Sequence, residues 1–221
     1  MSQLEIAIEQ LNNDLILMWN LVIGQMEKSR LAILEADKGL AHEVRANEKR
    51  VDAFELKIDM DCENILMLKN PVAMDMRRVI SILKINYNLE RIGDYANTFA
   101  HIAENIQEPW PGDVFTRTHI QEMYYMVQLM LQQSLEAFRE SDRNLVKELF
   151  RSDQQLDSLN QDANPAIESL IRENPDHIRD YLDAYTVIRK LERAGDHVLN
   201  IGEELIFLFD ARVIKHNKSG I

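Results

Sequence analysis

The chain carries a single cysteine, Cys62, in 221 residues. One thiol cannot close an intrachain disulfide, so the fold must be held by packing alone. Cys62 sits among apolar residues and reads as a small buried hydrophobe in a protein of a reducing cytoplasm. Glycine and proline are also scarce, at 7 and 5, and no stretch sustains the period-two alternation of a strand. With 46% apolar residues and many Leu, Met, Glu, Ala and Gln, the composition excludes disorder and favours helices. Positive charge is in deficit: 25 Lys and Arg against 37 Asp and Glu leave a formal net charge of -12. Nucleic-acid binding needs clustered cations to displace counterions, so nucleic acid is not an expected partner.

Long apolar runs are missing too. The strongest, Leu205-Ile206-Phe207-Leu208-Phe209, falls far short of the roughly 20 residues a membrane-spanning helix needs. Glu5, Glu9 and Asp14 stand where a secretory leader would carry a basic end and an apolar stretch, so no export is expected. Catalytic signatures are absent as well. No His follows a Glu at the Glu-x-x-His spacing of di-iron bundles, no Gly-rich loop could cradle a phosphate, and no Ser or Cys elbow offers a nucleophile. Nothing argues for an enzyme.

What is present is a repeat. A shift of 102 residues, from 89 to 191, lays Leu89-Glu90-Arg91-Ile92-Gly93-Asp94 on Leu191-Glu192-Arg193-Ala194-Gly195-Asp196, five of six identical. The turn Glu108-Pro109-Trp110-Pro111-Gly112-Asp113 separates the copies, giving units 1–108 and 113–221. Inside each unit Asn70-Pro71 and Asn174-Pro175 mark a second break, since Pro disfavours helix for the residue before it and suits a first turn. A helix on either side of each Pro, preceded by one over about Ser2–Asp37 or Asp113–Glu140, makes six helices, three plus three.

Heptad phase locates the acids. Ile85, Leu89, Ile92, Ala96, Phe99, Ala103 and Ile106 form one core seam, and Leu191, Ala194, Val198, Ile201, Leu205 and Leu208 its counterpart. Glu90/Asp94 and Glu192/Asp196 lie about 100° off these seams, each pair at i, i+4 and hence on one side of its helix. In the preceding helices the seams are Val51, Phe54, Ile58, Cys62, Ile65 and Leu156, Leu159, Ala163, Ile167, Leu170. Glu48, Asp52, Glu55 and Asp59 flank the first, Asp153 and Asp157 the second. If the helices around each Pro pack antiparallel, as short connections favour, Glu48/Asp52 faces Glu90/Asp94 and Asp153/Asp157 faces Glu192/Asp196.

Carboxylates gathered without cations repel and raise one another's pKa. A metal ion answers this, and an all-carboxylate set suits Mg, Mn, Ca, Fe or Zn over thiolate-preferring ions. The plainer reading is that the acids are solvated flank charges or partners of Arg91, Arg193 and Lys49. Gly93 and Gly195 cost about 1 kcal/mol each in mid-helix, which close helix packing or access to the acids would explain. His197 points about 100° from Asp196 and is expected at the surface or behind the site. His101 could reach the far end of the first site.

These residues resemble the PhoU family of phosphate-uptake regulators. The likeness rests on both Leu-Glu-Arg-x-Gly-Asp stretches, on Glu48-x-x-x-Asp52 and Asp153-x-x-x-Asp157, and on Pro71-Val72-Ala73-Met74-Asp75-Met76-Arg77. It implies an all-α fold of two three-helix bundles related by a pseudo-two-fold axis, a likely homodimer-forming surface aside from any enzyme activity, and iron, zinc, magnesium or manganese at Glu48, Asp52, Glu90, Asp94, Asp153, Asp157, Glu192 and Asp196. It further implies a cytoplasmic negative regulator of the phosphate-starvation response, held at the inner face of the membrane by a phosphate ABC transporter ATPase subunit and a membrane histidine kinase. Tyr95 and Thr98 depart from the family's His and Asn, which His197 and Asn200 keep, so the second copy is expected to bind metal better. A metal-dependent hydrolase of phosphate compounds and a metal-free helical scaffold are the rival readings.

Overall fold

The computed structural model describes residues 2–213. Six long helices carry the fold: α1 (Gln3–Glu35), α2 (Lys38–Leu68), α3 (Ala73–Asn105), α5 (Ile120–Glu140), α6 (Arg143–Glu173) and α7 (Ile178–Asp210), with the short α4 (Gly112–Thr118) before α5 and a one-turn 3-10 helix (Pro175–His177) before α7. The described residues contain no strand. At about 1.5 Å rise per residue, the 33-residue helices α1, α3 and α7 are rods of roughly 50 Å.

Local chemistry sets the ends. Ser2 and Glu5 close a capping box on α1: Glu5 N–H donates to Ser2 Oγ at 3.1 Å and Ser2 N–H to Glu5 Oε2 at 2.7 Å. The first hairpin turns on Ala36, left-handed at φ 51, followed by Asp37 capping α2. The α5–α6 hairpin uses the same device, Ser141 at φ 55 followed by Asp142 capping α6. A shift of 105 residues therefore relates α1–α2 to α5–α6, carrying Asp37 to Asp142 and Glu48/Asp52 to Asp153/Asp157.

The expected single helix over 113–140 is two helices, broken at His119, which is left-handed at φ 55. Packing imposes the break. Trp110 stacks on Phe115 with centroids 6.0 Å apart, and Val114 and Thr118 are buried, fixing α4 chiefly against α6. Ile120, Met123 and Val127 must instead enter the main core along α5, a direction that a continuous helix could not follow.

α1, α2 and α3 pack on one another, as do α5, α6 and α7, and the two groups join along α3–α7 and α1–α5. Both seams predicted for α3 and α7 are buried throughout, and only Phe54 and Leu159 of the α2 and α6 seams are partly exposed. Trp19 meets Phe138 between α1 and α5 at 5.8 Å, and Phe99 meets Tyr124 edge-on at 5.4 Å. Cys62 is fully buried, and burial pushes its thiol up to about 12, so it stays protonated and inert. Near the end of α7, Leu208 is buried, Phe207 lies under Lys84 at 5.5 Å and Phe209 under Arg143 at 5.7 Å. These aromatics are thus engaged within the chain.

Candidate metal centre

In the first half α2 and α3 bring their acids together. Glu48 and Asp94 share a hydrogen bond between carboxyl groups, which requires a proton on one of them. Burial, reinforced by that bond and by the charges of Asp94 and Asp52, pushes the Glu48 carboxyl up to about 7. Glu90 is only 8% exposed. Burial and the Asp94 charge push it likewise to about 7, with Glu55 and Asp52 adding to the effect. Glu55 is raised as well, by burial and then by Asp59. Asn86 ties this stripe together, donating to Asp59 Oδ1 at 2.8 Å and to the Glu55 carbonyl at 3.0 Å.

Arg91 is the cation set against these acids. Its Nη1 donates to Asp94 Oδ2 at 3.3 Å, and its Nε lies 2.9 Å from Glu90 Oε2. That second approach lacks hydrogen-bonding alignment, so Arg91 Nε and Glu90 Oε2 are both buried without a hydrogen-bond partner. We weigh it as a charge contact only. The guanidinium also covers the Tyr87 ring at 5.1 Å.

In the second half α6 and α7 pack together. Asp153 is 2% exposed, Asp157 and Glu192 are half-buried, and Asp196 faces outward. Glu192 Oε2 is buried without a hydrogen-bond partner. The two glycines divide by cause. A Cβ on Gly195 would stand 2.3 Å from Leu156 Cδ2, which is helix packing, whereas one on Gly93 would meet Val51 Cγ1 at 3.3 Å, Gln25 Oε1 at 3.4 Å and Glu48 Oε2 at 3.9 Å. Gly93 thus opens the acid site as well as the helix contact.

Among the described residues, no three His, Cys, Asp or Glu side chains close on one point as they stand. The first-half acids share protons and Arg91 instead. The donor set nonetheless fits a hard cation. It is made of carboxylates, and its buried oxygens Glu90 Oε2 and Glu192 Oε2 lack hydrogen-bond donors.

His197 is not at the surface. It is half-buried where α7 meets α3, its Nδ1–H donating to Asn88 Oδ1 at 2.8 Å and its Nε2 facing the Tyr95 hydroxyl at 3.3 Å. Burial, with Arg193 and Arg91 nearby, lowers it to about 4, so it is neutral and accepts from the tyrosine. Tyr95 and His197 are equivalent residues of the repeat, and equivalents that touch lie on a pseudo-two-fold axis. The reciprocal contact is present: Asn88 binds His197, and its counterpart Lys190 sits 4.8 Å over the Tyr95 ring. His101 is exposed and lies 3.7 Å from Glu104, away from the acid stripe.

Sequence reasoning missed Gln25 of α1. It is 1% exposed, and its Nε2 donates to Glu48 Oε2 at 3.2 Å and to the Val44 carbonyl at 3.3 Å. A signal existed: Gln25 falls between Val22 and Ser29 in the buried stripe of α1, a place for an apolar side chain.

The PhoU domain model matches residues 15–104 and 120–205, taking in both acid constellations. The chain belongs to the PhoU family. It is 33% identical over 216 residues to the phosphate-specific transport system accessory protein PhoU homolog of Pseudomonas aeruginosa, covering 97% of this chain and 88% of that one. The corresponding homolog of Pseudomonas putida is 32% identical over 97% of this chain and 83% of its own. The crystal structure of PhoU from Pseudomonas aeruginosa superposes with a TM-score of 0.89 at 32% identity, over 95% of this chain and 100% of that one. PhoU from Streptococcus pneumoniae, at 23% identity and a TM-score of 0.87, shares the fold. The PhoU fold accounts for the duplicated three-helix plan.

Proposed function

We propose that this chain regulates phosphate uptake as a metal-binding accessory protein, acting by contact with partners and not by catalysis. One observation carries the reading: the twin acid constellation lies in a PhoU-family chain whose relatives are named for the phosphate-specific transport system. In this reading Glu48, Asp52, Glu90 and Asp94 hold cations in one half, and Asp153, Asp157, Glu192 and Asp196 in the other. The ions are divalent or iron-type, namely Fe, Zn, Mg or Mn. The bound cation replaces the protons and the Arg91 contact that relieve carboxylate repulsion in its absence.

The partners in this reading are the ATPase subunit of a phosphate ABC transporter and a membrane histidine kinase, with the chain acting in the cytoplasm as a homodimer and repressing the starvation response. No helix among the described residues is long and apolar enough to cross a membrane, so contact with the transporter would run through protein surfaces. Deleting the gene should raise phosphate uptake in phosphate-replete medium, and restoring it on a plasmid should lower uptake again. Uptake indifferent to the deletion refutes the regulatory role. Elemental analysis of protein purified without chelator tests the site: equal metal in wild type and in a chain with Glu48→Ala, Asp94→Ala, Glu192→Ala and Asp196→Ala refutes it.

A further inference from the structure

The two halves differ at one buried position beside the acids. The 105-residue shift that superposes the hairpin caps also carries Ser29 onto Ser134, whose hydroxyls each donate to the carbonyl three residues back, at 2.8 and 2.9 Å. The same shift carries Gln25 onto Met130, buried and apolar. It carries Glu55 and Asp59 onto Asn160 and Asn164. The first half is therefore both more acidic and provided with a carboxamide from a third helix.

Gln25 is poorly satisfied there. Its Nε2 is used, holding Glu48 Oε2 and the Val44 carbonyl, while its Oε1 is buried without a donor. A buried amide oxygen left unpaired costs about 1–3 kcal/mol, which a methionine of similar volume, as at Met130, avoids. The oxygen is placed against the gap left by Gly93, between Glu90 and Asp94 in sequence and beside Glu48 Oε2. No N–H or O–H donor meets it, and the neighbouring polar groups are acids. A cation is the partner that suits a neutral oxygen flanked by carboxylates.

We infer that Gln25 Oε1 is a neutral oxygen ligand from α1 to a hard cation held by Glu48, Glu90 and Asp94, making the first half a three-helix site and leaving the second a two-helix site. This rests on the metal reading above. It gives the halves unequal affinity: the first selects oxygen-loving ions such as Mg2+ or Mn2+ more strongly. It also gives Gly93 a role that Gly195 lacks, because a side chain there would push Gln25 and Glu48 apart.

The test uses the full chain with Asp157→Asn and Asp196→Asn to silence the second cluster, stripped of metal and titrated with Mn2+ while free ion is followed by electron paramagnetic resonance. Adding Gln25→Met should weaken binding by about tenfold or more, the scale on which metal-site supports act. Adding Gln25→Glu should bind at least as tightly as the parent, since it keeps an oxygen at that place. Circular dichroism confirms equal helix content in each chain. Parent and Gln25→Met titrations that coincide overturn the inference, and so does a Gln25→Glu chain as weak as Gln25→Met, because packing alone would then explain the loss. If the wild-type chain takes up no Mn2+, the metal reading falls together with the inference; if it does and the Gln25 variants match the parent, only the inference falls.

Discussion

Metal-free protein should lose stability as pH rises from about 4.5 to about 7. Glu48 and Glu90 have ordinary carboxyl values of 4.5 when unfolded and are pushed up to about 7 in the fold. Between these limits the folded chain holds protons that the unfolded chain has released, so folding is favoured at low pH. The contribution is complete below 4.5 and gone once pH has passed 7. At about 1.4 kcal/mol per pK unit the shifts would be large, but both carboxyls retain some solvent and Glu48 shares its proton with Asp94. Discounting for that screening leaves about 1 kcal/mol each and about 2 kcal/mol together. For a chain of this size that corresponds to roughly 4–8 °C in Tm.

His197 works in the opposite sense. Lowered from 6.5 to about 4, it makes the folded chain bind fewer protons than the unfolded one between those values, so its contribution rises with pH. The measurement is therefore a difference between wild type and a Glu48→Gln, Glu90→Gln chain, in which His197 cancels. Melts in chelator at pH 5 should nearly coincide. At pH 7.5 the double variant should be the more stable by about 2 kcal/mol, because a carboxamide mimics the protonated acid without its ionisation. Excess Mn2+ at pH 7.5 should then raise wild type, by about 2.7 kcal/mol at one hundred times Kd, and leave the variant where it was. A wild type–variant difference that stays constant from pH 5 to 7.5 refutes the electrostatic account of this site.

Gly195→Ala should destabilise by about 1 kcal/mol: the new Cβ meets Leu156 Cδ2 at 2.3 Å, Leu156 is buried and cannot swing into solvent, and overpacking of about 1–3 kcal/mol exceeds the roughly 1 kcal/mol gained in helix propensity. Gly93→Ala, with its nearest contact at 3.3 Å, should cost less, and urea melts ranking the two the other way would contradict the packing argument. Lys84→Met should cost about 2 kcal/mol, since Glu204 is buried and loses Nζ contacts at 2.9 and 3.1 Å, discounted from the usual buried-pair figure because Lys84 is half exposed. Adding Glu204→Leu should recover most of that loss, and a double variant as unstable as Lys84→Met would show that the ion pair was not its origin.

The helices were legible because burial writes a period into sequence: Ile85 to Ile106 and Leu191 to Leu208 alternate by three and four, and every one of them is buried. The turn at 108–113 and the breaks at Pro71 and Pro175 were legible because proline removes a donor and fixes φ. His119 was not legible, since nothing at that position forbids helix and the break comes from where Trp110 and Ile120 have to pack. The acids were legible as a register, i and i+4 beside a seam. Their electrostatics were not, because Arg91 folding back on Glu90 and Asp94, and Gln25 arriving from α1, depend on contacts between helices that no single helix encodes.

The pseudo-axis explains why the halves differ where they meet. A residue on such an axis faces its own duplicate, so an identical pair must satisfy itself. Two neutral imidazoles can form one bond in only one of two orientations, and two phenols must choose a donor. Tyr95 opposite His197 removes the choice: the hydroxyl donates to Nε2, which frees Nδ1–H for Asn88. Divergence at this pair thus fixes one arrangement of α3 against α7. Because Asp94 and Asp196 immediately precede these two residues, each acid constellation is one residue removed from the joint between halves. A cation that reorients Asp94 or Asp196 acts on the helix segment that sets the joint, so occupancy in either half bears on how the two halves are held together.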